Sequence, residues 1–388
     1  MKARRLSLSI AASAVVLAAG CALDSFIAPP ALKPEGYCLG QGGVFSLAFS
    51  PDGKRLASTH VNGLHSARFM CCLCLPMVPQ IRLWEAGLGR GQPQLNRAMF
   101  LLPSDRWAYP QVQFSPDGTS LFVVESGHGL VRWDIAEQRL DKLIEGDRWI
   151  ILSPDGRTVA AASAETEQRR LNRTFAFYFG PVSADTGEEK IELLDAETGE
   201  AQRVLTHQRS LGSFFSFTPD GKSLALHSED QRIAFVEVET GAVRQPAGRM
   251  LWGWPHAFSR DSRRYATETL KGTIQVWDVA TGAPLASVNA GGDLRCMALS
   301  PDGMHLAVGR EGDEWVGEIQ LWDVATSKLL VRVRDESTWG ITALVFSPDG
   351  SALASGCGTG EIKYWSVKDL LAGKKPEARR VLRAAPTP

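Results

Sequence analysis

The sequence predicts an all-β fold made of seven copies of one antiparallel unit. Three observations predict it: a short turn recurs seven times, the copies stand at similar intervals, and alternating apolar runs flank the turns. Alternation with a period of two is the pattern of a half-buried β-strand. A chain of 388 residues, of which 44% are hydrophobic, is long enough to build one large all-β core.

The first 20 residues are predicted to be an export signal and not part of the fold. A positive segment (2–5) precedes an apolar stretch (6–19), which is shorter than the roughly 20 residues that span a bilayer. The stretch ends in Leu-Ala-Ala-Gly-Cys21, which resembles the lipobox of bacterial lipoproteins, although that family prefers Leu where Ala18 stands. The resemblance implies that Cys21 is acylated, and Ala22 implies the outer membrane. The alternative is an ordinary secretory signal with a chance cysteine.

A tether rich in proline and glycine follows at residues 21–42, and the repeated units occupy residues 43–385. Each unit contains a Ser-Pro-Asp-Gly turn or a variant of it. Proline pre-sets φ, aspartate caps its own turn and glycine accepts a positive φ, so two apolar runs joined by this turn form a hairpin. The turns are residues 50–53, 115–118, 153–156, 218–221, 259–262 (degenerate), 300–303 and 347–350.

The spacing of these turns indicates four strands per unit. The Asp-to-Asp intervals are 65, 38, 65, 41, 41 and 47 residues, and a period of about 40 to 45 is typical of a propeller blade. Each of the two longest intervals holds one unit and an insertion of about 20 residues. Five third strands end in tryptophan, at Trp84, Trp133, Trp277, Trp322 and Trp365, and residues 191–195 and 233–237 are their counterparts.

These turns and Trp-ending strands resemble the WD-repeat family of β-propellers over residues 43–385. The resemblance implies a seven-bladed β-propeller of four-stranded antiparallel blades, although a fold does not by itself imply an activity. The family's Gly-His dipeptide at the repeat starts and its Asp before the third strand are missing. We therefore expect turn chemistry and apolar packing to hold the blades in place of the buried hydrogen-bond network that those residues build in the family. Residues 379–384 or a segment near Cys38 would close the ring.

Strand order predicts which face of the ring binds a partner. If the strands of a blade are a, b, c and d in chain order, the a–b and c–d turns lie at one end, and the b–c and d–a connections lie at the other. Both insertions (about 59–79 and 164–190) are b–c connections. Tryptophan, tyrosine and arginine are enriched at interface hot spots. We therefore expect this face to bind a protein or peptide through Trp107, Trp252, Trp254, Trp339, Arg106, Arg148, Phe69, Met70, Phe177 and Phe179.

Two other interpretations of these aromatic residues stay open. A tryptophan before strand a can pack against the neighbouring blade. The alternation of phenylalanines at 175, 177 and 179 also fits an extra strand that covers a sheet edge.

The cysteines and charged residues predict no metal and no cofactor. Cys71, Cys72 and Cys74 do not fit a structural zinc site well, because such sites favour Cys-x₂₋₄-Cys pairs with matching ligands elsewhere in the chain. A disulfide, for example with Cys38, is plausible in an oxidising envelope. Cys296 and Cys357 are expected in the core, and the acidic residues 311, 313 and 314 are interpreted as a solvated loop.

The remaining patterns favour binding over catalysis. The seven histidines are scattered, and neither a nucleophile elbow nor a phosphate-binding glycine loop is present. A net charge of −1 argues against nucleic acid. The sequence thus predicts a non-enzymatic protein-binding scaffold, held to the membrane by an N-terminal lipid and facing the periplasm or the cell surface. The alternative is a hydrolase, lyase or carbohydrate sensor with a site at the channel mouth.

Overall fold

A computed structural model describes residues 43–61, 79–85, 98–100, 111–125, 129–145, 149–162, 189–207, 211–228, 233–244, 256–270, 272–292, 294–312, 316–338, 340–372 and 380–382. All of them belong to one unit, Gly40–Pro388. The predicted signal, the tether and Cys21 lie outside the described residues. Within the described part of the chain, no helix is long and apolar enough to cross a membrane.

Seven four-stranded antiparallel sheets follow one another along the chain, which confirms the predicted fold class. Each sheet is one blade, and its strands a to d are neighbours in chain order. Blades 1 to 3 consist of β1 (Gly43–Phe49), β2 (Arg55–Val61), β3 (Pro79–Glu85) and β4 (Ala98–Phe100); β5 (Gln111–Phe114), β6 (Ser120–Glu125), β7 (Gly129–Asp134) and β8 (Arg139–Glu145); and β9 (Trp149–Leu152), β10 (Thr158–Ala162), β11 (Glu189–Asp195) and β12 (Ala201–His207).

The four remaining blades have the same order of strands. They consist of β13 (Leu211–Phe217), β14 (Ser223–Ser228), β15 (Ile233–Glu237) and β16 (Val243–Arg244); β17 (His256–Phe258), β18 (Arg264–Leu270), β19 (Thr273–Asp278) and β20 (Pro284–Asn289); β21 (Leu294–Leu299), β22 (His305–Glu311), β23 (Val316–Asp323) and β24 (Lys328–Thr338); and β25 (Ile341–Phe346), β26 (Ala352–Cys357), β27 (Ile362–Ser366) and β28 (Arg380–Leu382). One short helix, α1 (Val367–Leu371), follows β27.

The ring closes by packing of blade 7 against blade 1. Strand β25 contacts β1, and the hydroxyl of Thr342 donates to the carbonyl of Val44 at 2.6 Å. The outer strand of blade 7 is its own β28, which pairs with β27. Of the two predicted closures, the structure therefore has the one that uses the C-terminal strand.

The apolar core lies between the blades because every strand sends alternate side chains to its two neighbours. The described residues form seven apolar clusters, and each cluster joins two consecutive blades. Ile81 and Leu83 of blade 1 pack against Val112 and Phe114 of blade 2. Trp84, on the opposite face of the same strand, packs towards blade 7. Removing such apolar side chains from water is the dominant driving force for folding.

The seven a–b turns have one hydrogen-bond pattern. The first residue, Ser or Thr, donates its hydroxyl to the turn aspartate at 2.5–2.6 Å. The same aspartate accepts the backbone N–H two residues on, at 2.9–3.1 Å. In the degenerate turn, Ser262 takes the glycine's place with φ of 57°. The turn chemistry predicted from the sequence is therefore confirmed in every blade.

Neighbouring turns touch around the ring. Where proline is present, it often packs on the glycine of the next turn: a Cβ on Gly118 would lie 3.5 Å from Pro51 Cδ. The degenerate turn lacks both residues, and hydrogen bonds replace the contact there. Ser262 Oγ accepts the backbone N–H of Asp220 in blade 4, and Arg264 donates to the carbonyl of Gly303 in blade 6.

Buried hydrogen bonds from tryptophan side chains are present in four blades, in addition to the turn chemistry and apolar packing that the sequence predicts. The indole N–H groups of Trp84, Trp277 and Trp365 donate to Ser58, Thr267 and Ser355 on strand b at 2.8–3.1 Å. In blade 6 the equivalent Trp322 donates to Gln320 at 3.0 Å. Sequence reasoning did not anticipate these bonds, because their acceptors lie on strand b or strand c and are not the missing histidine and aspartate.

Candidate functional site

The candidate site is the face on which the b–c connections leave the blades. The first insertion runs between β2, which ends at Val61, and β3, which begins at Pro79. The second runs between β10, ending at Ala162, and β11, beginning at Glu189. Both are thus b–c connections, as the sequence predicts. The side chains predicted to bind a partner lie outside the described residues: Trp107, Trp252, Trp254, Trp339, Arg106, Arg148, Phe69, Met70, Phe177 and Phe179.

A β-bulge occurs where strand a begins on this face in blades 1, 6 and 7. The register skips one residue in each strand, namely Phe45, Arg295 and Thr342. All three stand five residues before the first residue of their a–b turn. A bulge bends the strand and re-aims the side chain of the extra residue. Because neighbouring a strands contact each other around the centre of the ring, these three residues form a surface that we name the inner rim.

Blade 6 carries a charged network beside the inner rim. Arg295 pairs with Glu311 at 2.6 Å, and Arg295 is the more exposed partner. Glu311 is the last residue of β22, so its interpretation as part of a solvated loop was wrong. Sequence reasoning missed the pair because the two residues are brought together by the pairing of β21 with β22. Residues 313 and 314 lie outside the described residues.

A second group of charges lies on strands b, c and d of blade 6. Glu318 on β23 is 3.8 Å from Arg310 and 3.5 Å from Arg332, and it also accepts a hydrogen bond from Gln320 at 2.7 Å. Arg310 donates to the carbonyl of Ala290 in blade 5 at 2.6 Å. The network therefore links three strands of blade 6 to the residue that directly follows the outer strand of blade 5.

An ion pair joins blades 6 and 7 on the same side. The ammonium of Lys363 on β27 donates to the buried carboxylate of Asp335 on β24, and it lies 3.7 Å from Glu361. Asp335 pairs in register with Gly317, near the b–c end of blade 6. A buried carboxylate needs such a partner, because an uncompensated charge in the interior is costly.

The blade ends approach one another closely on this side of the ring. A Cβ on Gly43 would lie 3.1 Å from the carbonyl oxygen of Gly358, and one on Gly340 would lie 3.2 Å from Glu311 Cβ. Backbones approach at this distance because glycine has no side chain. The ends of blades 6, 7 and 1 thus form a tightly packed sector with a charged surface.

The described residues do not assemble a metal centre. Within the stretches that the structure describes, no group of three or more His, Cys, Asp or Glu side chains is placed to hold a metal ion. Cys296 and Cys357 are free thiols: Cys296 donates to the carbonyl of Ile341, and Cys357 is buried beside Thr359. The cysteines at 38, 71, 72 and 74 lie outside the described residues.

Comparison with known proteins points to the WD-repeat type of propeller. The family described as "WD domain, G-beta repeat" matches residues 33–64 and 328–366. The chain is also similar to WD repeat-containing protein SL1-17 of Schistosoma mansoni, 26% identical over 174 residues. That match covers 39% of this chain and 58% of the relative, so the chain spans little more than half of the relative's length.

The second family match shows how sequence repeats and blades are offset. Residues 328–366 contain β24, the outer strand of blade 6, and then β25, β26 and β27 of blade 7. A single sequence unit therefore contributes to two blades. These matches support a WD-repeat propeller, a type of fold that usually serves as a scaffold for protein interactions.

Proposed function

We propose that this propeller is an envelope-anchored scaffold that docks a protein or a peptide on the face carrying the b–c insertions. The observation that carries the proposal is the contrast between the two ends of the blades. At one end, each turn satisfies its own polar groups and packs on the next turn. At the other end, two long connections leave the blades, and bulges re-aim the inner-rim side chains.

The chemistry of the inner rim suits a polypeptide partner. It combines an aromatic side chain (Phe45), a hydroxyl (Thr342) and an arginine (Arg295) that is 37% exposed although it is paired. Counting five residues back from the turns at 153 and 259 gives Arg148 and Trp254 in the sequence. Aromatic and arginine side chains are enriched at interface hot spots.

Deletion of the first insertion tests the docking face. Residues 62–78 would be replaced by a short Gly-containing turn between Val61 and Pro79, and partner capture from envelope extracts would be compared with the intact chain. We expect the partner to be lost while the thermal unfolding profile stays cooperative. The matched control reverses one exposed charge on the opposite face, Lys222→Glu, and should capture the partner normally. An unchanged partner list after the deletion would contradict this contact.

Membrane anchoring is a separate part of the proposal and needs its own test. The full chain and its Cys21→Ala variant would be expressed in a bacterial host and fractionated into membrane and soluble material. We expect the intact chain in the outer-membrane fraction, because two or more acyl chains anchor a protein stably. The variant should move to the soluble envelope fraction. Equal distribution of both proteins would contradict lipidation at Cys21.

A further inference from the structure

A buried arginine lies at the boundary where the last blade meets the first. Arg82 on β3 is 3% exposed. Its Nη2 donates to Gln80 at 2.9 Å, whereas Nε and Nη1 have no hydrogen-bond partner among the described residues. Burial lowers the pKa of Arg82. Most buried charges in proteins are paired, because an isolated one is very costly.

The strand register shows which way Arg82 faces. Side chains alternate along β3, and Arg82 shares its face with Gln80 and Trp84, whereas Ile81 and Leu83 face blade 2. Trp84 packs in the cluster that joins blade 1 to blade 7. Arg82 is therefore directed at blade 7, across the boundary that closes the ring.

Other polar side chains surround Arg82 on this face. Ser58 stands opposite Arg82 in the β2–β3 register, and His60 stands opposite Gln80. The Ser58 hydroxyl contacts His60 Nε2 and accepts the indole N–H of Trp84, both at 2.8 Å. We name Ser58, His60, Gln80 and Arg82 the closure cluster; all four are at most 3% exposed.

The closure cluster contains donors and a positive charge but lacks a described acid. On the opposing face of blade 7, Trp84 packs in one apolar cluster with Ala343, Ala354, Ile362 and Tyr364. No carboxylate of the described residues lies within ion-pair distance of Arg82. Among the residues that the structure describes, no group neutralises the charge of Arg82, although the side chains around it are buried and hydrogen-bonded.

We propose that the closure cluster binds a small oxyanion, of the carboxylate or phosphate class, between blades 7 and 1. Guanidinium groups bind both classes through two or more N–H donors. The bound oxyanion would accept from Nε or Nη1 of Arg82 and neutralise its charge. Because the site lies at the ring closure, the oxyanion would stabilise the contact between the first and last blades. This site is separate from the proposed docking face and does not depend on it.

Thermal unfolding of the full chain tests this site. The probes are inorganic phosphate and acetate, each titrated against chloride at constant ionic strength. We expect one or both probes to raise the Tm of the intact protein by a few degrees in a saturable manner, as linkage between binding and folding requires. Phosphate alone would assign the phosphate class, and acetate alone the carboxylate class.

Three variants make the result specific to Arg82. Arg82→Met should lose the anion-dependent rise, and its Tm in chloride should equal or exceed that of the intact protein because a buried unpaired charge is removed. Arg82→Lys should keep a weaker rise. The matched control Arg132→Met removes an arginine of blade 2 that is already paired with Asp141 and Glu197, and it should retain the full rise.

Two results would overturn the proposal. One is the absence of a saturable rise in the intact protein, or an equal rise in Arg82→Met. The other is a carboxylate from this chain: Glu377 lies in the sequence between α1 and β28 of blade 7. Glu377→Gln could lower the Tm and also remove the difference in Tm between the intact protein and Arg82→Met. In that case Glu377 of this chain, and not a bound oxyanion, is the counter-ion of Arg82. If Arg82→Met does not fold, oxyanion binding is measured instead by equilibrium dialysis of labelled phosphate against the intact protein and Arg82→Lys.

Discussion

The two faces of the ring differ in where their polar groups find partners. On the a–b turn face, Ser115, Asp117 and the backbone of the same turn satisfy one another. On the b–c face, Arg310 bonds to blade 5 and Lys363 bonds to blade 6. The polar groups of the repeated turns are thus satisfied mainly within their own turn, with added links such as those of Ser262 and Arg264, whereas the charged groups of the irregular face bond between blades. We expect partners on the irregular face because not all of its polar side chains bond within their own blade.

Loss of the ion pair between blades 6 and 7 should have the largest effect on stability. Lys363→Met leaves the buried carboxylate of Asp335 without its ammonium partner, which costs about 3 kcal/mol in comparable buried pairs. Chemical denaturation would measure the free energy of unfolding. Adding Asp335→Asn to this variant should recover part of the loss. A loss below about 1 kcal/mol, the usual value of surface pairs, would show that this face does not depend on contacts between blades.

Two glycine substitutions compare the faces directly. Gly272 and Gly53 have φ of 78° and 71°, so alanine is strained at both positions. At Gly272, on the b–c face, the new Cβ would also overlap the carbonyl of Gly291, whereas at Gly53 the nearest atom, Pro348 Cδ, is 3.6 Å away. We expect Gly272→Ala to cost about 2–3 kcal/mol and Gly53→Ala about 1 kcal/mol. Equal losses in the free energy of unfolding, measured with denaturant, would contradict the proposed difference in packing between the two faces.

The smallest effect is expected from one turn hydroxyl, and it should depend on pH. Ser115→Ala removes a donor to Asp117 and an acceptor for the backbone N–H of Ser120, a loss of about 0.5–1 kcal/mol at neutral pH. The Ser115 hydroxyl and then the Thr119 N–H lower the pKa of Asp117 below 3.8.

The pH dependence of this effect follows from the lowered pKa. A carboxyl with a lowered pKa in the folded state stabilises the protein above the unfolded-state value, and this stabilisation is lost as the pH falls through the folded-state value. The difference between the intact protein and Ser115→Ala should therefore narrow below about pH 4. A difference that stays constant down to pH 2 would show that the Asp117 charge contributes nothing.

The sequence was sufficient for the fold because its signals are local and repeated. A Ser-Pro-Asp-Gly turn forms from its own residues alone. A tryptophan such as Trp322 or Trp365 marks the end of a strand c. The inner rim was not predictable in the same way. Phe45, Arg295 and Thr342 share a position relative to the turn but no residue type, so only the register reveals that each is bulged.

Contacts between blades were harder still to predict. Asp335 and Lys363 belong to different blades, and the offset between those blades decides that they meet. Arg82 also gave no signal, because the strand Gln80-Ile81-Arg82-Leu83-Trp84 has the ordinary alternation of a half-buried strand. Its burial arises from the closure of the ring, which links the two ends of the repeat array.

Site-specific photo-crosslinking would show which face of the propeller docks a partner. A benzophenone side chain would be placed at Phe45 or Arg295 on the inner rim, and at Lys54 or Lys222 on the turn face, in the full chain within bacterial cells. We expect a discrete crosslinked protein from the inner-rim positions and none from the turn-face positions. Crosslinks from the turn face alone, or equally from both faces, would contradict docking on the face that carries the b–c insertions.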